Sequence, residues 1–297
     1  MRLHTGAYTQ GFAFIFPAVA LFGVFVFYPA FYVLYAALFE WDGINDGVFV
    51  GLGNFHQIFT DDTPFWISMR NALYWAPLTI VIQMVLGFLI AFLLEIRTRM
   101  VPLFRALFYL PAIVSPVVIG IVWQRIYNPF GGLLSDIGRA TGLKFLAFPF
   151  LADTQTAIFA VIVVNIWQWM GFSMLMYIAG MKGISREILE AARLDGISTR
   201  QTAIHVVWPM LRHVHMTLIL LGVIGTLQTF PLIYIMTKGG PNHATEMLPN
   251  YIFQQGFILQ NMGYASALSV VLLALSLGLS IFQVKVLGAR FSFGAGR

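Results

Sequence analysis

The 297-residue sequence contains no cysteine, which excludes disulfides, thiolate nucleophiles and cysteine-ligated zinc sites. Charge is also scarce: 10% of the residues are Asp, Glu, Lys or Arg, against about 25% in soluble domains. The sequence has no Gly-x-x-x-x-Gly-Lys-Ser/Thr motif, so it lacks the usual ATP phosphate loop. Hydrophobic residues, by contrast, make up 59% of the chain. This composition predicts a membrane domain rather than a water-soluble one.

Six segments contain no Asp, Glu, Lys or Arg and are long enough to cross about 30 Å of hydrocarbon as helices. They cover approximately residues 11–39, 71–94, 106–124, 154–181, 213–237 and 265–284. A charge at the bilayer centre costs about 2.5–3.5 kcal/mol and is normally found where function requires it. Its absence argues against ion-coupled carriers and membrane-embedded hydrolases. We therefore predict an all-α polytopic membrane protein with about six transmembrane helices, residues 1–297 forming a single transmembrane domain.

The basic residues are distributed unequally between the segments that join the spans. If the N-terminus is on the inner side of the membrane, twelve of the 17 Lys and Arg residues lie in segments on that side and the other five lie in segments on the outer side. Lys and Arg are enriched on the cytoplasmic side, so both termini are predicted to be cytoplasmic. The formal net charge of +5 thus reflects topology, and we expect no nucleic-acid binding. His205, His213 and His215 lie at a membrane edge, where we expect interfacial residues and no metal site.

Uncharged polar and aromatic residues concentrate in two segments within the spans. "NIWQWMGF" covers Asn165–Phe172 and "GTLQTFPLIY" covers Gly225–Tyr234. One interpretation is that their side chains form hydrogen bonds that hold helices together in the membrane. The other is a pathway for a neutral polyhydroxylated solute, which amides, hydroxyls and aromatic faces would contact. The sequence leaves both interpretations open.

Between these two segments lies a polar insert, defined here as residues 182–212, which is too charged to enter the membrane. Ser185 is expected to cap a short helix whose apolar stripe comprises Ile184, Ile188, Ala191 and Ala192. Asp195-Gly196 should end that helix, and Ser198 with Gln201 has capping-box spacing for a second one. Trp208-Pro209 should end or bend the second helix. The pattern suits docking into a groove of another protein, or an amphipathic helix on the lipid surface.

The stretch "EAARLDGISTRQTAIHVVWP" resembles the EAA loop of the membrane subunits of ABC importers. The match comprises Glu190-Ala191-Ala192, Gly196 and Val207-Trp208-Pro209, with Trp208 where the family usually has leucine. Further stretches resemble the carbohydrate-uptake branch, which includes the maltose and glycerol-3-phosphate permeases, and most closely the first of its two paired permeases. These stretches are Phe49–Asp62, Phe104–Leu134, Thr237–Leu248 and Gly263–Ile281.

The resemblance implies two sets of site residues. In that family the EAA loop forms a coupling helix seated in a cleft of the cytoplasmic ATPase subunit. The corresponding ATPase-coupling residues here are Glu190, Ala191, Ala192, Asp195, Gly196 and Pro209. The family holds its solute midway across the membrane, between the spans that flank the loop. The corresponding substrate-binding positions are Gly171, Met174, Gly222, Gly225, Thr226, Thr229 and Pro231.

The resemblance further implies a multi-pass permease subunit of an ATP-driven importer in a bacterial or archaeal inner or plasma membrane. Its expected partners are a second permease in a heterodimer, two ATPase copies, an extracytoplasmic solute-binding protein and the lipid bilayer. ATP and Mg are expected on the ATPase, with no cofactor and no enzymatic activity on this chain. The expected solute is an oligosaccharide or another sugar, or a phosphorylated polyol. The alternatives are an ion-coupled carrier or channel for a neutral solute, and a scaffold without a pathway.

Overall fold

A computed structural model describes the backbone of residues 5–97 and 101–292, with side chains for residues 14–95, 101–192 and 194–285. The chain termini, whose cytoplasmic position is predicted above, lie outside the described residues. The chain divides into two compact units, Met1–Asp62 with Ile252–Leu275 and Thr63–Tyr251 with Ser276–Arg297. Each unit is described separately.

The first unit begins with a long apolar helical segment. It comprises α1 (Thr5–Phe22), a π-helical turn (Gly23–Phe27), α2 (Tyr28–Ala36), the two-residue strands β1 (Phe39–Glu40) and β2 (Val48–Phe49), and α3 (Gly53–Thr60). The strands pair antiparallel, with Phe39 opposite Phe49. The buried Asn54 amide donates to the carbonyls of Ala37 and Phe39, both at 2.9 Å, and thereby fixes α3 against the hairpin.

The loop between the two strands is closed by one aspartate. The backbone N–H groups of Ile44 and Asn45 each donate to Asp42 Oδ1 at 2.8 Å. These bonds favour the ionised carboxylate and lower the pKa of Asp42 below its ordinary value. The local chain conformation therefore stays fixed although the loop is exposed.

The second unit is built from helices. It contains α4 (Thr63–Arg97), α5 (Val101–Ile113), α6 (Pro116–Ile126), α7 (Leu133–Thr141), a 3₁₀ turn (Lys144–Ala147), α8 (Ala157–Met181), α9 (Arg186–Leu194), α10 (Thr199–Gln201), a π-helical segment (Thr202–Val207), α11 (Trp208–Met210), α12 (Arg212–Leu227) and α13 (Pro231–Met236). Along the chain, α14 (Leu248–Phe253), a π-helical turn (Gln254–Ile258) and α15 (Met262–Ser292) complete the described elements.

The helices agree with the predicted membrane fold. Among the described residues, four helices are long and apolar enough to cross a membrane, namely Phe14–Ala36, Thr63–Glu95, Ala157–Met181 and Met262–Lys285. Two bent helix pairs raise the number to six if each pair counts as one span. The prediction of an all-α polytopic membrane protein is confirmed, with four to six spans.

Two of the predicted spans are broken. The run at 106–124 is divided between α5 and α6, which meet at 95°. Ser115 precedes Pro116 and takes an extended conformation, because proline disfavours a helical conformation of the residue before it. The run at 213–237 is likewise interrupted: α12 ends at Leu227, and α13 begins at Pro231.

The core of the second unit consists of two apolar clusters along α4 and α8. One contains Phe88 of α4 and Met174 and Tyr177 of α8. The other contains Trp75 of α4 and Val164 of α8. The polar stretch of α8, residues 165–173, begins beside Ile166 of the second cluster and ends beside Met174 of the first. The polar residues Gln168 and Ser173 therefore lie between packed apolar side chains.

Candidate functional site

A cavity of about 410 Å³ lies beside the polar stretch of α8. Helices α4, α8, α12 and α13, together with the turn between the last two, provide nearly all of its wall. Its residues are Trp75, Thr79, Ile80, Gln83, Met84, Pro116, Asn165, Gln168, Trp169, Phe172, Ser173, Leu218, Leu221, Gly222, Gly225, Thr226, Gln228, Thr229, Phe230, Pro231 and Leu232. None of these lining residues is charged, so the wall offers amides, hydroxyls and aromatic faces.

Gln168 is the most informative polar group in the wall. Its side chain is 1% exposed, and its Nε2 donates to the carbonyl of Val114 at 3.3 Å, at the break between α5 and α6. Its Oε1 atom is buried and has no hydrogen-bond partner in the described structure. An unsatisfied buried acceptor costs about 1–3 kcal/mol. Gln168 lines the cavity, so a small rotation of its amide would let a ligand hydroxyl donate to this oxygen and remove that cost.

The other polar groups are partly engaged with the protein. Gln83 Nε2 donates to Asn165 Oδ1 at 3.0 Å, which links α4 to α8 across the wall. The hydroxyls of Thr226 and Thr229 donate to the carbonyls of Gly222 and Gly225, at 2.9 and 2.8 Å. Each hydroxyl oxygen retains lone pairs that can accept a hydrogen bond.

Aromatic rings complete the wall. Trp169 and Phe172 meet edge to face with ring centroids 6.3 Å apart, and Phe230 stacks on Tyr234 at 5.4 Å. Such rings provide flat apolar surfaces of defined orientation. Alternation of amides, hydroxyls and rings fits a solute that carries both hydroxyl groups and apolar C–H faces.

Five of the seven positions predicted to bind substrate line this cavity: Gly222, Gly225, Thr226, Thr229 and Pro231. The other two do not. Met174 is fully buried in the apolar cluster around Tyr177. A Cβ atom at Gly171 would lie 1.9 Å from the carbonyl oxygen of Phe108, so this glycine is required for close packing of α8 on α5. The structure therefore places both residues in helix packing.

The predicted set omitted the amides Gln83, Asn165 and Gln168, which line the cavity. Asn165 and Gln168 are three residues apart, so they share one face of α8. Two amides on one face of a helix without charged residues are the sequence feature that indicates this part of the cavity wall.

We expect Gly171→Ala to destabilise the protein because its methyl group cannot fit against the Phe108 carbonyl. The melting temperature of the purified protein should fall by several degrees, since overpacking costs about 1–3 kcal/mol. Gly225→Ala is the matched control, because a Cβ atom there meets no atom of the described residues within 4 Å. Equal melting temperatures in the two variants would contradict the packing role of Gly171.

The polar insert folds locally as its sequence predicts. Ser185 Oγ accepts a hydrogen bond from the N–H of Glu187 at 3.2 Å at the start of α9. Gly196, after α9, has φ +70°, a left-handed conformation that suits glycine. Ser198 and Gln201 form the predicted capping box at α10. The chain then bends by 68° between Met210 and Arg212, just after Pro209. These predictions are confirmed.

The predicted apolar stripe of α9 does not have one environment. Ala192 is buried and Ile184 packs against the apolar cluster of α8. Ile188 and Ala191 are exposed instead, and Leu194 at the end of α9 is 89% exposed. Helix α9 therefore packs through one edge and presents an apolar face to its surroundings.

Five of the six predicted ATPase-coupling residues are exposed, namely Glu190, Ala191, Asp195, Gly196 and Pro209, and the sixth, Ala192, is buried. Glu190 also borders a second cavity of about 610 Å³ beneath α9, whose charged residues are Glu95, Lys182, Arg186 and Glu190. Glu95 pairs with Arg105 at 2.5 Å. Among the described residues, no cluster of three or more His, Cys, Asp or Glu could hold a metal ion.

The sequence matches, over residues 83–290, a family described as "Binding-protein-dependent transport system inner membrane component". It is 35% identical over 275 residues to the probable ABC transporter permease protein YurN of Bacillus subtilis, covering 92% of this chain and 94% of that protein. It is 29% identical over 277 residues to the multiple sugar-binding transport system permease protein MsmF of Streptococcus mutans, covering 93% and 94%.

The fold also resembles that of a solved structure. A chain of a bacterial alginate ABC transporter, crystallised in complex with an alginate pentasaccharide-bound periplasmic protein, superposes with a TM-score of 0.80 at 19% identity, covering 92% of each chain. At this identity the likeness concerns the fold alone.

Proposed function

The chain belongs to the family of binding-protein-dependent transport system inner membrane components, and from this premise we propose that it forms part of the pathway of an ATP-driven importer for a neutral oligosaccharide. The observation that carries the choice of solute is the uncharged cavity with the free acceptor of Gln168. Its relative MsmF is named for the transport of multiple sugars. The name of this relative and the cavity thus favour the same class of solute.

The cavity chemistry separates the candidate solutes. A phosphate or carboxylate group is normally bound by Arg, Lys or backbone N–H groups that carry positive charge or dipole. The lining residues supply no cation, but they do supply amides and hydroxyls that can both donate and accept. This favours a neutral sugar over a phosphorylated polyol or an acidic oligosaccharide.

The polar insert would connect the pathway to an ATPase on the cytoplasmic side. Its exposed apolar face, Ile188, Ala191 and Leu194, adjoins Glu190 and follows the helix-in-groove pattern of recognition. We infer a complex with two ATPase copies, a second permease and an extracytoplasmic solute-binding protein, both termini of this chain being cytoplasmic. ATP and Mg would bind to the ATPase. Closing and opening of the pair of ATPase subunits would move α9, and the cavity would open alternately to the two sides of the membrane.

The test is uptake by the purified complex in proteoliposomes, with a panel of neutral, phosphorylated and acidic sugars. We expect uptake that requires ATP, the ATPase and the solute-binding protein, and that is greatest for a neutral oligosaccharide. Uptake driven by an ion gradient without the ATPase would show a secondary carrier or channel. ATP-dependent uptake of only phosphorylated or acidic sugars would contradict the assignment of a neutral solute.

Gln168→Leu should weaken sugar binding in the pathway. It removes the Oε1 acceptor together with the Nε2 donor to the Val114 carbonyl and leaves a shorter apolar side chain. The sugar concentration for half-maximal uptake should therefore rise about tenfold or more. Gln124→Leu is the matched control, because Gln124 donates to the carbonyls of Ile235 and Met236 and does not line this cavity. An unchanged sugar dependence for Gln168→Leu would remove this residue from the binding site.

A further inference from the structure

His215 spans the bend that joins the polar insert to α12. The bend is at Leu211, which is fully buried and separates α11 from α12. His215 Nε2 lies 2.9 Å from the carbonyl oxygen of Trp208, on the opposite side of the bend. One side chain of α12 therefore holds the last residues of the insert in place.

Tyr177 connects the same histidine to α8. Its hydroxyl lies 2.8 Å from His215 Nδ1, and its side chain is fully buried. A neutral imidazole protonated on Nε2 satisfies both contacts, because it donates to Trp208 O and accepts the tyrosine O–H. Three parts of the chain, α8, α12 and the end of the polar insert, thus meet at one imidazole.

Aromatic packing strengthens this junction. The centroid of the Trp208 ring lies 4.2 Å from that of the His215 ring and 6.1 Å from that of the Tyr177 ring. Phe88 of α4 meets Trp208 edge to face at 4.8 Å and Tyr177 at 5.6 Å. Rings in such arrangements add about 0.5–1.5 kcal/mol per pair beyond their buried area. The end of the insert is therefore held to α4, α8 and α12 together.

The junction lies on helix faces that lead to the cavity. Tyr177 is four residues after Ser173 on α8, and His215 is three residues before Leu218 and seven before Gly222 on α12. Ser173, Leu218 and Gly222 all line the cavity. Residues at such spacings share one helix face, so the junction and the cavity wall lie on the same faces of α8 and α12.

We propose that Tyr177 and His215 are positioning residues that transmit movement of the polar insert to the cavity helices α8 and α12. This inference rests on the proposed function. With both hydrogen bonds in place, the insert and the two helices move as one body. Without them, the insert pivots at Leu211, and ATP hydrolysis proceeds without moving the cavity wall.

The test measures sugar transported per ATP hydrolysed by the complete complex in proteoliposomes. Each hydrogen bond contributes a factor of a few to an equilibrium, so this ratio should fall about tenfold in His215→Phe and about threefold in Tyr177→Phe. ATP hydrolysis and recovery of the assembled complex should stay near their original levels. Thr217→Ala, which removes an exposed hydroxyl that donates to the His213 carbonyl on the same helix, is the control.

Two further variants test the mechanism. In His215→Gln the amide can still donate to the Trp208 carbonyl, so the ratio should recover partly. An unchanged ratio in both His215→Phe and Tyr177→Phe would overturn the inference. A parallel loss of transport, hydrolysis and assembly in these variants would assign them a structural role and would equally overturn it. If the unmodified complex transports no sugar, the proposed function itself fails.

Discussion

Glu190→Lys is expected to abolish ATP-driven sugar uptake while the chain remains in the membrane. Glu190 is exposed, adjoins the apolar face of α9 and borders the cavity that also contains Lys182 and Arg186. In the proposed complex, Glu190 would face a cation of the ATPase, and the substitution would place a like charge there. Loss of one partner of a buried interfacial charge pair costs about 2–5 kcal/mol. Uptake should therefore fall about 100-fold or more, and less ATPase should copurify.

Glu187→Lys is the matched control, because Glu187 is an exposed glutamate three residues earlier on the same helix and does not border the cavity. It should retain most of the uptake. The measurements are ATP-dependent uptake and the amount of ATPase that copurifies with the membrane chains. If the two variants behave alike, net charge on α9 matters and the position of Glu190 does not.

Gly225→Phe is expected to block the pathway without unfolding the protein. Gly225 lines the cavity, and within the part of the chain that the structure describes a Cβ atom there meets no atom within 4 Å. A phenyl group can therefore occupy the space that the sugar requires. Gly222 is less suitable, because its Cβ atom would lie 2.4 Å from Ile80. Uptake should fall about 100-fold or more, since ligand and phenyl group cannot share a cavity of about 410 Å³.

Gly278→Phe is the control for the bulk of the new side chain. Gly278 is an exposed residue of α15 that does not line the cavity, and a Cβ atom there meets no described atom within 4 Å. The melting temperatures of both variants should stay near that of the unmodified protein. Normal uptake by Gly225→Phe with a normal melting temperature would show that the solute does not pass through this cavity.

Most of the local structure could be predicted from the sequence. The charge-free runs predict the long helices, and the capping box at Ser198 and the left-handed Gly196 depend on residues within four positions of each other. The break before Pro116 could also be predicted, because proline disfavours a helical conformation of the residue before it. The charge-free run at 106–124 does not indicate the break, because the run stays apolar on both sides of Ser115.

The composition of the cavity could be predicted only in part. Asn165 and Gln168 were visible as polar residues within a charge-free run, but hydropathy could not distinguish a cavity wall from a helix-helix hydrogen bond. Gly171 follows Gln168 by three residues on the same helix, but it packs against the Phe108 carbonyl and does not line the cavity. Which side of α8 faces the cavity depends on how α4, α5 and α12 pack around it.

The sequence by itself determined the membrane helices, the local fold of the polar insert and the membership in a transport family, because these depend on composition and on residues close together in the chain. The tertiary structure alone decided that Gln168 retains a free acceptor and that His215 joins Tyr177 to Trp208. Gln168 contacts Val114, 54 positions away, and Tyr177 contacts His215, 38 positions away. The contact between His215 and Trp208 crosses a bend. The geometry of these contacts is set by the rotation and crossing of packed helices, which no local pattern encodes.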